Sequence, residues 1–512
     1  MQLFTTKQRS QAEAISQLAF SNPFLPERIE HERTLLGPAH QSGDPVWNVE
    51  YTGRERRNVT RITEITRAVS EAARAKLAAG HRPSDADAAL YADLVLYRLF
   101  DQTREKLNAT IEAAHRGEKN LKPRYWPQFA EEARRFFAPA GEPLPVAYDT
   151  AHMFACFFQI RRAFHHVFNY VVGSSTAAAE LRAAVWRSVF SNDLRRYHRS
   201  LYLHMHDVTT LITGPSGTGK ELVARAIAFS RYVPFDANAG RFEHHFPDAF
   251  QAVNLSALSP TLLESELFGH CKGSFTGAVG ERVGWLEACG PGGTVFLDEI
   301  GETEHAVQVK LLRVLQARTF QRLGETADRR FEGKIVAATN RVLQEEINAG
   351  RFRQDFYYRI CSDRIETPSL RRQLDDAPED LRRLLLFIAG RVAPEEAEPL
   401  ADEVCGWIET NLPAEYPWPG NVRELEQCCR SVMIHGAYCP ACPEEETVKV
   451  SSDPWSASAE AARGGSLTAD QLLGRYCRHV YDQYGSYEET ARRLGLDRRT
   501  VKRKIVEHTS DA

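Results

Sequence analysis

The run Gly214-Pro215-Ser216-Gly217-Thr218-Gly219-Lys220 constrains this chain more than any other, because of what flanks it. Thr209-Thr210-Leu211-Ile212-Thr213 before it reads as a buried strand, and Glu221 to Ala228 after it as a helix. A glycine-rich turn in that setting lets backbone N–H groups wrap phosphate oxygens at a helix N-terminus, with Lys220 reaching the β/γ oxygens. The general pattern places Ser or Thr after the lysine to hold magnesium. Here the residue is Glu221, which leaves that part to Thr218 or water. Three more apolar runs, Phe250-Gln251-Ala252-Val253, Thr294-Val295-Phe296-Leu297 and Lys334-Ile335-Val336-Ala337-Ala338, read as buried strands, each followed by helix or loop. That alternation indicates an α/β fold, a parallel sheet with helices on both faces.

The strand ends carry chemistry. Gly292 to Glu299 is an apolar strand closing on two carboxylates. A buried parallel strand has little reason to end so unless a cation or a water is held there. Asp298 is expected to help hold the Mg2+ of bound ATP, and Glu299 to polarise the attacking water. Thr339-Asn340 ends the neighbouring run, where Asn340 either senses the γ-phosphate or simply forms a turn. Asn254 ends the Phe250 strand and reads in the same two ways, as a contact to Glu299 or as a turn. Arg353 and Arg359 lie six residues apart beside Tyr357 and Tyr358. They read equally as cations aimed at a γ-phosphate from a neighbouring subunit or as a surface ion-pair face.

Between the two halves of this site lie Gly273-Ser274-Phe275-Thr276-Gly277-Ala278. Two glycines flank one aromatic and one hydroxyl, a poor composition for a core element. Phe275 is expected at the tip of a tight turn, pointing away from the body toward a partner.

The rest of the chain divides by composition. With 512 residues it has room for about three domains. Its 43% hydrophobic and 26% charged content is ordinary for a globular protein, and a net charge of −4 argues against a protein wholly coated in nucleic acid. Met1 to Lys7 has no apolar leader, runs such as Phe154 to Phe158 are too short for a bilayer, and ten cysteines without an export signal read as reduced thiols. These point to the cytoplasm. Residues 1–170 are expected to be an all-α domain, with helices at Arg61 to Ala79 and Ala86 to Ala114 and no chemistry of their own. Residues 171–437 hold the ATP site. Residues 438–466, rich in Pro, Glu, Ser, Ala and Gly, read as a linker, and 467–512 as a small helical unit. In that unit Tyr487 to Leu494, a turn at Gly495-Leu496-Asp497, and Arg498 to Ile505 read as helix-turn-helix. Arg498, Arg499, Thr500, Lys502, Arg503 and Lys504 are the expected DNA contacts, the positive charge from 492 to 504 being opposed within that window only by Asp497. A basic hairpin that binds protein is the alternative. Cys439-Pro440-Ala441-Cys442 reads as half of a metal or redox site, and Cys428 and Cys429 upstream either supply two more thiols or are small core residues; no metal site is assigned.

Together these motifs resemble the bacterial enhancer-binding proteins, the sigma-54-dependent AAA+ transcriptional activators. The resemblance runs from about Val171 to His435 and resumes in the last forty or so residues. It implies an AAA+ core with a helical lid, and a Fis-type helix-turn-helix at the end. The family's P-loop carries glutamate after the lysine, as Glu221 does here, and Pro215 is a mild departure. Its surface loop reads G-A-F-T-G-A, so Ser274 replaces an alanine while Phe275 and Thr276, which touch the sigma factor in the family, are present. Pro419-Gly420-Asn421-Val422-Arg423-Glu424-Leu425 is similar to its second sensor, which implies that Arg423 reaches the phosphates. By the same resemblance Arg353 and Arg359 act in trans within a ring, usually a hexamer. The implied partners are sigma-54 RNA polymerase and upstream double-stranded DNA. Asp236 to Asp248 and Phe190 to Asp207 stand out as extra segments, and His244-His245 reads as a solvated loop rather than a metal site. The rival functions are an AAA+ remodeller of another target and a DNA-binding repressor with a vestigial ATPase.

Overall fold

The computed structural model describes residues 2–41, 57–144, 148–440 and 467–507. Cys442 and nearly all of the expected linker lie outside them. The described chain forms two compact units, one up to Tyr438 and one from Cys439 onward.

The first unit begins with six helices: α1 (Thr6–Phe20), α2 (Glu27–Leu36), α3 (Arg57–Ala78), α4 (Asp85–His115), α5 (Trp126–Phe137) and α6 (Thr150–Tyr170). Side-chain oxygens of Thr5, Ser84 and Asp149 cap α1, α4 and α6 by accepting from the third residue onward, the ordinary remedy for unpaired N–H groups. Two helices follow, α7 (Thr176–Phe190) and α8 (Leu194–Arg199).

The sheet then assembles from β1 (Thr210–Thr213), β4 (Phe250–Asn254), β5 (Thr294–Asp298), β8 (Lys334–Thr339) and β9 (Asp363–Glu366), in the order β4-β5-β8-β1-β9 and all parallel. Two short hairpins lie outside it, β2 (Phe235–Asp236) with β3 (Arg241–Phe242), and β6 (Thr319–Phe320) with β7 (Arg329–Arg330). The period of two along each strand divides the core in two. Leu211, Val295, Leu297, Ile335 and Ala337 face one core, against α12 (His305–Ala317) and α14 (Gln354–Ile360). Ile212, Phe296, Val336, Ala338 and Ile365 face the other, against α7 and α9 (Lys220–Phe229). Helices therefore cover both faces, as expected. The shorter α10 (Pro260–Phe268), α11 (Trp285–Ala288) and α13 (Leu343–Asn348) complete the wall. A helical lid of α15 (Leu370–Asp376), α16 (Asp380–Val392), α17 (Ala397–Asn411) and α18 (Asn421–His435) follows with its own core. Cys428 and Cys429 lie in that core, where burial pushes the Cys428 thiol up to about 12, so both act as small apolar residues; Cys439 is exposed.

The N-terminal helices are not a separate body. One continuous core joins Phe154, Phe158 and Phe129 to Phe229, Val233, Phe235, Phe242 and Phe246. The extra segment 236–248 forms much of that join: Phe242 stacks on Phe158 at 4.0 Å and its N–H donates to the Leu121 carbonyl. It is a docking element, not a solvated loop. His245 accordingly is mostly buried and pairs with Asp248 at 3.0 Å. Position 170 is the end of α6 but not a division between cores.

The second unit packs α19 (Ala469–Tyr484), α20 (Tyr487–Leu494) and α21 (Arg498–Glu507) around Cys477, Ala491, Val501 and Ile505. Gly495, at φ 63°, ends α20 in the left-handed conformation that a tight inter-helix turn requires.

Candidate nucleotide site and its flanking loops

The glycine run forms the turn its sequence predicts. Gly214, Gly217 and Gly219 have φ of 147°, 78° and 84°, conformations that side chains rarely adopt. A Cβ on Gly217 would also collide with the Gly420 carbonyl oxygen, and one on Gly214 with Thr367. The loop is thus clamped between β9's exit and the start of α18. Lys220 is buried and donates to the carbonyls of Gly214 at 3.0 Å and Pro215 at 3.1 Å, which holds its ammonium over the loop. Burial lowers its pKa, and the charges of Glu299 and Asp298 oppose that shift.

Asp298 ends β5 as expected and accepts from the Glu299 N–H at 3.1 Å. Glu299 has φ 55°, a left-handed value uncommon for a residue with a side chain, which turns the chain sharply at the strand end. Burial raises both carboxyls. For Glu299 the Asp298 charge adds to the rise, while Lys220 and a hydrogen bond from the Asn340 backbone oppose it. One Glu299 carboxylate oxygen is buried without a hydrogen-bond partner. A buried carboxylate with one unpartnered oxygen close to a lysine ammonium is an arrangement that could activate a water. Asn340 thus meets Glu299 through its backbone. Asn254 sits in register beside Asp298, but its side chain accepts from the N–H and hydroxyl of Ser256 at 2.9 and 2.8 Å. The alternative of a contact with Glu299 gives way to this local turn, as is common for Asn after a strand.

The P-loop hydroxyls are engaged too. Thr218 bonds the Pro215 carbonyl at 2.9 Å and the Thr367 hydroxyl at 2.7 Å, and Glu221 pairs with Arg225 at 2.7 Å. Asp298 therefore remains the side chain best placed for a magnesium ion, which suits an ion that keeps several waters and phosphate oxygens as ligands. The lid contributes directly. Arg423 donates to the Ser216 hydroxyl at 3.1 Å, and Asn421, at φ 52°, donates to the Ser216 carbonyl at 3.0 Å while accepting from the Leu370 N–H at 2.9 Å. The Val422 N–H reaches the Gly217 carbonyl. The role of Asn421 was hidden inside the Pro-Gly-Asn motif; Thr367 had no signal in the sequence.

Arg353 stands at the N-cap of α14 and Arg359 in its last turn, and the helix buries Phe356 and Ile360. Arg359 is exposed. Arg353 forms a two-pronged pair with Asp355 at 3.0 and 2.7 Å, and Gln308 holds its backbone N–H at 2.9 Å.

The loop at 273–278 is tighter than expected. The Gly273 N–H meets the Ala278 carbonyl at 2.9 Å and the Ala278 N–H meets Phe275 at 3.0 Å. Gly273 and Gly277 have φ of 80° and 103°. Phe275 does not point away from the body: it is half-buried, its ring edge-on to His270 at 5.0 Å. The apolar side chain that projects is Val279, 84% exposed. Ser274 packs against Gly324, and its hydroxyl is buried without a partner, while Thr276 is exposed.

In the second unit Arg499, Lys502 and Arg503 are exposed on α21, with Thr500 half-buried. Lys504 differs: it is buried and paired with Asp470, so it ties α21 to α19. Arg498 pairs with Glu488 at 2.8 Å, and Arg492 and Arg493 pair with Glu489. The basic window is therefore partly neutralised by acids outside it.

Residues 191–366 match the Sigma-54 interaction domain family. The transcriptional regulatory protein ZraR of Escherichia coli strain K12 is 38% identical over 304 residues, 58% of this chain and 63% of ZraR. The Nif-specific regulatory protein of Azotobacter vinelandii is 46% identical over 226 residues, 44% of this chain and 40% of that protein. The chain thus matches less than two thirds of either relative's length. A structure of NtrX from Brucella abortus in complex with ADP aligns over 75% of this chain and 80% of its own, at 21% identity and TM-score 0.38.

Proposed function

We propose that this chain, which carries a Sigma-54 interaction domain over residues 191–366, is an ATP-hydrolysing transcription activator that remodels sigma-54 RNA polymerase. The observation that carries this reading is a convergence. Lys220, Asp298, Glu299 and Arg423 belong to one site, in the same compact unit as the glycine-hinged loop around Phe275 and Thr276. In this reading Lys220 and the loop N–H groups bind the phosphates, and Glu299 takes a proton from the attacking water. Magnesium, held through Asp298, would neutralise phosphate charge. Arg353 and Arg359 act on a neighbouring subunit's nucleotide, within a homo-oligomer that is a hexamer when active. The face of Arg499, Lys502 and Arg503 binds upstream double-stranded DNA in the cytoplasm. The N-terminal helices regulate turnover, since they grip the far end of the P-loop helix: Arg162 donates to the Phe229 carbonyl at 2.9 Å and Gln159 to the Ser230 carbonyl at 3.0 Å.

The test is a reconstituted open-complex assay on a sigma-54 promoter. ATP-dependent opening is expected, and Phe275→Ala is expected to abolish opening while ATP hydrolysis persists. Opening that survives Phe275→Ala sinks the mechanism. Hydrolysis without opening by the unaltered protein indicates a remodeller of another target, and no turnover in any oligomeric state indicates a repressor.

A further inference from the structure

Among the described residues two groups bring metal-ligating atoms together: His152, Cys156 and His198, and His115, His165 and His166. In the first group both ring nitrogens of His152 are already engaged, Nδ1 with the Tyr232 hydroxyl and Nε2 with the His198 carbonyl, each at 2.8 Å. The second group is built differently. His165 and His166 are consecutive on α6, and His115 is the last residue of α4. One ligating nitrogen from each lies within 4.8 Å of the other two. The ring centroids are 5.6 Å apart for His115 and His165, 5.1 Å for His115 and His166, and 5.0 Å for His165 and His166.

His166 is 1% exposed, and its Nε2 is buried without a hydrogen-bond partner. A ring nitrogen taken out of water and given no partner is unusual in a packed core. Its surroundings offer little relief, because Phe229 and Phe246 press on it at 5.2 and 5.6 Å between centroids. A cation would satisfy that nitrogen. His115 ends α4, where the unpaired carbonyls of the last turn favour positive charge. His245 closes the wall from the docking segment, its Nε2 3.3 Å from the Ala114 carbonyl.

We propose that His115, His165 and His166 bind one divalent transition ion of the zinc type. Three imidazoles suit zinc rather than magnesium or calcium, which prefer oxygen. Zinc–nitrogen bonds of about 2.0–2.1 Å place ligand atoms about 3.3 Å apart, so modest side-chain rotations close the group on the ion. The exposed side of His115 leaves a fourth position for water. The site joins α4 to α6 against Phe229, the last residue of the P-loop helix. An effect of the ion on ATP turnover rests on the function proposed above; the binding itself does not.

Cobalt(II) titration of the untagged full-length protein, followed by its visible absorption, reads binding without reference to ATPase or transcription. One cobalt per chain is expected, with the band intensity of a low-coordinate nitrogen site, no thiolate charge-transfer band, and displacement by zinc. His115→Ala, a change at an exposed helix end, and His165→Ala are each expected to weaken binding on the order of 100-fold. Cys156→Ser is expected to leave it unchanged. Thermal melts of the metal-free variants confirm that they fold. The proposal is overturned if the unaltered protein binds no stoichiometric cobalt, if the variant combining His115→Ala with His165→Ala binds as tightly as the unaltered protein, or if a thiolate band appears and is lost in Cys156→Ser.

Discussion

Asn421 makes the most of a single side chain. Its amide joins the P-loop carbonyl of Ser216 to the lid N–H of Leu370, from a backbone held at φ 52°. Asn tolerates that conformation better than most residues, whereas Ala is strained there by about 1–2 kcal/mol. Asn421→Gly removes only the hydrogen bonds, and Asn421→Ala removes them and adds the strain. Nucleotide titration is expected to show weaker ADP binding for both, and thermal melts a larger loss for Ala. Equal losses would mean that the backbone conformation contributes nothing. Glu299 gives a second prediction. Glu299→Gln is expected to cut phosphate release by roughly 10²–10⁴-fold while nucleotide binding survives. Because burial and the Asp298 charge raise the Glu299 pKa, its base form is lost earlier as pH falls. The acid limb of turnover should therefore lie above the ordinary glutamate value of about 4.3. These residues were legible because their chemistry demands a type at a place: lysine after glycines, carboxylates after an apolar strand. The orientation of Phe275, the partner of Asn254 and the burial of Lys504 were not legible, because their contacts with His270, Ser256 and Asp470 are settled by packing and local turns that residue type does not announce.

At the scale of elements, four strands of the sheet were visible as apolar β-branched runs. The edge strand β9 was not, since Asp363-Arg364-Ile365-Glu366 buries only Ile365. An edge strand with solvent on its outer side carries charge as a matter of course. β8 holds the reverse case, a lysine inside a buried strand. The Lys334 ammonium donates to the carbonyls of Met205 and Val208 and lines a cavity of about 160 Å³ shared with Arg231 and His206. Burial pushes its pKa down to about 7, helped by Arg231 and Arg318 and opposed by Asp363. The folded value lies below the unfolded one, so between about pH 7 and 10.4 the unfolded chain binds the extra proton. Lys334 thus makes stability rise with pH across that window, by at most about 1.4 kcal/mol per pH unit. Lys334→Met removes this slope. Its advantage in melting temperature over the unaltered protein is expected to be larger at pH 7 than at pH 9. A difference independent of pH would place the ammonium in a solvated site.

For the whole molecule, the sequence suggested a separate all-α domain over 1–170, and the structure places those helices in one compact unit up to Tyr438, sharing a core with Phe229, Phe235, Phe242 and Phe246. The reason lies in segment 236–248: its two aromatic residues, Phe242 and Phe246, stand among Asp, Asn, Gly, His and Pro, a composition that reads as a loop. Packed, they become the floor on which α6 sits. Removing residues 1–170 would uncover Phe229, Phe235, Phe242 and Phe246 together, an apolar patch of the kind that drives aggregation. The truncated protein is therefore expected to be poorly soluble, and its turnover would report misfolding rather than release from control. Arg162 offers a cleaner handle. It is fully buried, stacks over Phe158 and Phe246, and donates to the carbonyls of Phe229 and Arg231, at the C-terminal end of the helix that begins with Lys220. A guanidinium there satisfies carbonyls that the helix leaves unpaired and sits well in its dipole. Arg162→Met keeps the apolar stem and strands those carbonyls, at a cost of about 1–3 kcal/mol. If α6 restrains the P-loop helix, turnover per folded protein is expected to rise several-fold in this variant. A fall in turnover would mean that the grip of α6 orders Lys220 for catalysis. An unchanged rate at reduced stability would confine the contact to folding.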